Sequence, residues 1–126
     1  MNRHTARKKA FQILFQLDIN DNDPDQAIHD FLEDGVSDPY LTMIVKGVAD
    51  NKTKLDKVIA DHLENWSIQR IASVEKNILR IAVYEILYSD DIPVNVSINE
   101  AVELGHIFGD EKSGKFINGV LSKIKK

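Results

Sequence analysis

Cysteine is absent, which removes disulfides, thiolate zinc sites and cysteine nucleophiles at one stroke. No run of about 20 apolar residues could span a bilayer, and the N-terminus lacks the apolar core of about 7–15 residues that a secretion signal needs. The expected location is therefore the cytoplasm, where the glycosylation-like triplets at Asn51, Asn65 and Asn95 carry no meaning. Strict apolar–polar alternation, the signature of a half-buried strand, is nearly missing as well. What remains is a chain of 126 residues, 43% hydrophobic and 29% charged, suited to one folded domain over residues 1–126.

The net charge of −4 conceals a bipolar arrangement. Residues 1–10 carry Arg3, Arg7, Lys8 and Lys9, residues 112–126 carry Lys112, Lys115, Lys123, Lys125 and Lys126, and neither end holds an acid. All 20 acids lie between them, so the middle sums to −13. Such ends suit an anionic partner and such a middle a basic one, unless the terminal cations are merely solvated.

Apolar residues recur at three- and four-residue spacing almost throughout, which predicts helices. Thr5 is the expected N-cap of a first helix whose stripe is Ala6, Ala10, Ile13, Leu14 and Leu17. Asp23 and Pro24 signal a second helix, carrying Ala27, Ile28, Phe31 and Leu32 and stopped by Gly35. Asp38 and Pro39 repeat the signal, with Leu41, Ile44, Val45 and Val48 leading to a bend near Asn51. Leu55, Val58, Ile59 and Leu63 follow on a stretch expected to end near Trp66. SVEKNILRIAVYEILYS, from Ser73, is apolar on nearly every side and reads as the buried central helix, whose Arg80 and Glu85 need partners on other helices. Ser97 and Glu100 have the spacing of a capping box for SINEAVELGHIF, which Gly109 closes. Ser113 is the expected cap of a last helix in which Phe116, Ile117, Val120, Leu121 and Ile124 face inward. The sum is an all-α bundle of about seven helices.

Catalytic signals fail one by one. GDEKSGK, residues 109–115, matches the core of a phosphate-binding loop, but Phe116 stands where a magnesium-holding Ser or Thr is required and a helix replaces the preceding strand. The histidines at 4, 29, 62 and 106 form no pair on one helix turn, and no nucleophile elbow exists. No enzyme activity, cofactor or metal is implied.

Nucleic acid is the better match for the ends. Arg7, Phe11 and Phe15 share one i, i+4 ridge beside Lys8 and Gln12, offering phosphate contacts, flat rings and an amide. Phe11 and Phe15 stay open between base stacking and the core. Arg3 and His4 precede the expected cap as a flexible arm. Lys112, Lys115 and Phe116 make a second cluster of the same chemistry, and the two form one site only if the fold brings them together.

The segments ARKKAFQILFQLD, VEKNILRIAVYEIL, DIPVNVSINEAVELGHIFG and SGKFINGVL, in this order along the whole chain, resemble the NusB family of bacterial transcription antitermination factors. The resemblance implies an all-helical fold of two small packed bundles. It also implies joint binding of single-stranded boxA RNA with NusE, a small-subunit ribosomal protein, alongside NusA, NusG and RNA polymerase. By the same resemblance the protein is no enzyme, and it allows both a monomer and a homodimer. The family's RNA-binding residues fall on Arg3, His4, Arg7, Lys8, Phe15, His62, Glu75, Lys115 and Phe116, with Lys112 where some members resemble an acid. His4 and Lys8 replace expected arginines, and a lysine cannot make arginine's planar two-pronged contact. Two alternatives stand beside this reading: a helical protein–protein adaptor with no RNA role, and an RNA-targeting module detached from an rRNA methyltransferase.

Overall fold

In the computed structural model, which describes residues 1–31 and 38–124, seven α-helices and one 3-10 turn account for the regular structure, with no strand among the described residues. The helices are α1 (Arg3–Asn20), α2 (Pro24–Phe31), α3 (Pro39–Asp50), α4 (Lys52–Asp61), α5 (Ser73–Tyr88), α6 (Val94–Phe108) and α7 (Ser113–Leu121), with the turn Ile68–Arg70 between α4 and α5. The readings placed on Leu32, Gly35, Lys125 and Lys126 lie outside the described residues.

Start signals written in Asp and Pro hold. The Asp23 carboxylate accepts from the Gln26 amide at 3.1 Å, and that of Asp38 accepts from the Tyr40 and Leu41 amides at 2.9 and 3.0 Å, each with proline next in line. Four expected boundaries move. Asn2, not Thr5, caps α1 by accepting from the Thr5 amide at 2.8 Å, so Arg3 and His4 belong to the first helical turn and not to an arm. α4 stops at Asp61, before Trp66, because the His62 ring bonds the Val58 carbonyl at 2.7 Å and Asn65 takes a left-handed φ of 66° that no helix accommodates. α6 starts three residues before Ser97, after Pro93, whose carbonyl accepts the Val96 amide at 3.0 Å. Ser97 and Glu100 are thereby freed from capping to face buried cations and acids. Ser113 is the first residue of α7 and not its cap; its hydroxyl turns to Glu75 at 2.6 Å.

α5 is the central helix that its all-round apolarity predicts. It packs against α1, α3 and α4 on one side and α6 and α7 on the other, so two small helical bundles share it. Ile78, Leu79, Ile81, Val83 and Ile86 are buried together with Ile13, Leu41, Ile44, Leu55, Leu104 and Ile117. Close approach matters at Gly47 on α3, where an added Cβ would fall 2.2 Å from the Tyr84 ring of α5.

The two buried charged residues of α5, Arg80 and Glu85, find partners on other helices, as their burial demands. Arg80 grips Asp56 of α4 through two bonds of 2.7 and 2.9 Å and reaches Asp18 of α1 at 3.2 Å. Glu85 accepts from Arg7 of α1 at 2.7 and 3.1 Å, from the Tyr40 hydroxyl of α3 at 2.7 Å and from the Ser97 hydroxyl of α6 at 2.9 Å. Four helices thus meet on one carboxylate.

Candidate nucleic-acid interface

The α1 ridge divides on folding. Arg7 does not look outward: it is 4% exposed, because its guanidinium satisfies Glu85 and also meets Glu100 at 3.2 Å. Burial alone would lower its pKa, but the Glu85 carboxylate outweighs that, and the guanidinium is held charged more firmly than usual. The same environment, burial first and then Glu85, pushes the Tyr40 hydroxyl well above its ordinary value. Arg7 is therefore a residue that fixes α1 in place, not one that presents charge to a ligand. Arg3 is exposed, lies 4.9 Å over the Tyr40 ring and pairs with Asp91 at 3.2 Å, while His4 sits 2.9 Å from Glu100. Lys8 is half-buried and Gln12 exposed.

The two rings of the ridge part company as well. Phe11 is core, stacked on Phe108 of α6 at 4.5 Å and on Phe15 at 5.9 Å. Phe15 is half-buried and, with Gln12, Phe108 and Val74, lines a hollow of about 360 Å³. Val74 leads directly to Glu75, at the N-terminal end of α5, which lines the next groove of about 380 Å³ together with Lys112, Phe116, Trp66 and Arg70. On the far side of Phe116 a third, of about 200 Å³, is lined by His62, Lys115, Lys123 and Trp66.

The loop that resembles a phosphate-binding motif works as a brace for this wall. The Asp110 carboxylate accepts from the Lys112 amide at 2.9 Å, and the Ser113 hydroxyl accepts from the Asp110 amide at 2.9 Å while donating to Glu75. The Lys112 and Ser113 bonds hold the Asp110 pKa below its usual range. Glu75 keeps its other carboxylate oxygen buried with no hydrogen-bond partner.

Apart from Arg7, buried against Glu85, and half-buried Lys8, the sequence-predicted site residues fall into two places. Gln12, Phe15, His62, Glu75, Lys112, Lys115 and Phe116 gather along adjoining hollows at the end of the molecule where α5 begins. Arg3 and His4 lie against Asp91 and Glu100 near the other end of α5, about 18 Å up the α1 axis from Phe15 at 1.5 Å per residue. Trp66 and Arg70, absent from the sequence-predicted set, line the same groove as Phe116. Their signal was a tryptophan standing off the amphipathic stripes in a polar turn, followed four residues later by an arginine.

No helix among the described residues is long and apolar enough to cross a membrane, and no group of three or more His, Asp or Glu among them could hold a metal ion. The model of the NusB family matches residues 4–126. The chain is 59% identical over 124 residues to a transcription antitermination protein NusB of Oceanobacillus iheyensis, covering 98% of each. It is 51% identical over 125 residues to that of Bacillus subtilis, covering 99% of this chain and 95% of the relative. Among solved structures it is similar to T. maritima NusB, with TM-score 0.90 and 35% identity over 98% of this chain and 89% of the other. It is also similar to a chain of a crystal structure of the antitermination factors NusB and NusE in complex with dsRNA, with TM-score 0.84 and 30% identity over 97% and 96% of the two chains.

Proposed function

The chain belongs to the NusB family, and from that premise we propose that it acts as a transcription antitermination factor, binding boxA RNA together with NusE. It is not an enzyme. The observation that carries the reading is likeness over 97% of the chain to a protein solved with NusE and RNA. Residues 1–126 serve as one RNA-binding domain, in the cytoplasm, within an assembly that includes NusA, NusG and RNA polymerase. A homodimer of the free protein would compete with that assembly.

The wall at the start of α5 suits single-stranded RNA. Phe15 and Phe116 offer partly open ring faces, and Lys112 and Lys115 offer phosphate contacts. Arg3 is held by its place over the Tyr40 ring and by an exposed pair, worth about 0.2–1 kcal/mol in such settings, and can exchange Asp91 for a phosphate. Lys8 extends that cationic edge and His4 borders it, while Arg7 acts through position alone. The −13 middle of the chain steers a basic ribosomal partner. Backbone NMR shifts on adding boxA RNA test the placement: changes should concentrate at residues 3–8, 12–15, 74–75 and 112–118. Shifts confined to α2 and α3 would remove the site from this wall.

A further inference from the structure

Trp66 is the chain's sole tryptophan, and 56% of its surface is open. Left-handed Asn65 turns the chain just before it, and the indole comes to line both grooves that flank Phe116. Cations edge each groove, Arg70 and Lys112 along one, Lys115 and Lys123 along the other. The acids there are engaged from within: Glu64 by Lys123 at 2.8 Å, Asp110 by the Lys112 amide, and one Glu75 oxygen by Ser113. Among the described residues Arg70 and Lys115 form no ion pair, and their charge is left facing outward.

An exposed indole next to a half-open phenyl ring, between unpaired cations, has the chemistry of a stacking platform on a phosphate track. We propose that Trp66 is a base-stacking residue, forming with Phe116 a two-nucleotide subsite for single-stranded RNA in which the backbone runs past Arg70 and Lys115. This rests on the RNA-binding function above and adds to it a residue outside both basic clusters. A partner helix is a poorer occupant, because it needs a continuous apolar strip and Glu75, Asp110 and Lys112 interrupt this one.

The lone tryptophan reports on its own contact. Labelled boxA RNA is titrated into the full chain with NusE present, following RNA anisotropy and, against a Trp66→Phe control, indole emission. Emission should be quenched in step with anisotropy. Trp66→Ala should weaken binding about five- to a hundredfold, from the usual worth of one base stack, and Trp66→Phe should retain most of it. The slope of log affinity against log salt should stay unchanged for Trp66→Ala and flatten for Arg70→Ala. Parent-like RNA binding by Trp66→Ala with constant indole emission would overturn the subsite and leave the RNA reading standing. Emission that responds to NusE alone, or to the concentration of free protein, would assign Trp66 to a protein contact and overturn it too. Absence of any RNA binding by the parent with NusE would overturn the RNA reading itself.

Discussion

Replacing Arg7 by Ala separates a folding role from a ligand contact. The substitution strips Glu85 of its two guanidinium bonds, at 2.7 and 3.1 Å, and leaves a buried carboxylate with only the Tyr40 and Ser97 hydroxyls. Removing one partner of a buried pair costs about 3–5 kcal/mol, against a total stability of about 5–15 kcal/mol for a domain. At a few degrees per kcal/mol for a chain of this size, the melting midpoint should fall by roughly 10–20 °C. Urea and thermal unfolding measure the loss. Adding Glu85→Gln in the Arg7→Ala background removes the stranded charge and should recover part of it, as a double-mutant cycle would register. RNA affinity measured well below the new midpoint should stay near the parent's. Parent-like melting combined with lost RNA binding would refute the assignment and return Arg7 to the phosphate-contacting set.

Gly47→Ala drives a methyl to 2.2 Å from the Tyr84 ring and should cost about 1–3 kcal/mol in urea unfolding; an unchanged midpoint would mean that α3 and α5 pack more loosely than described. For Asp18, burial works to raise the pKa, but the Asn77 hydrogen bond, Arg80 and Lys52 outweigh it and hold the value low. The folded state then gives up that proton at lower pH than the unfolded chain does. Its stabilisation is complete above the unfolded value of about 3.9 and is lost as pH falls through the depressed one. Asp18→Asn should flatten the acid limb of a stability profile between pH 7 and 2.5, and identical limbs would contradict the coupling. Lys112→Ala and Lys115→Ala should each weaken RNA binding and reduce the salt slope by about 0.7, with no change in melting. An unaltered slope would take that lysine off the phosphate track.

The helical fold was legible because it is written in local chemistry. Asp-Pro starts, 3.6-residue stripes and the all-round apolarity of α5 need no knowledge of neighbours. Boundaries slipped where a polar residue had a tertiary use stronger than its local one. Ser97, Glu100 and Ser113 have capping spacing, yet Glu85, Arg7 and Glu75 claim them. Arg7 differs from its sequence expectation for the same reason: its i, i+4 neighbours are aromatic and basic, and its acidic partners lie 78 and 93 positions away. The joining of Gln12 and Phe15 to the Glu75 and Phe116 wall depends on α1 lying antiparallel to α5, which no spacing in the sequence encodes. Trp66 carries no periodic signal, because a lone aromatic in a turn has no period.

Affinity for boxA RNA across salt concentration, with and without NusE, tests the central claim most directly. With about five phosphate contacts from Arg3, Lys8, Arg70, Lys112 and Lys115, the slope of log affinity against log salt should be about −3.5, roughly a hundredfold loss between 50 and 200 mM salt. NusE should tighten binding at every salt concentration. A flat salt response, or no gain on adding NusE, would contradict the account.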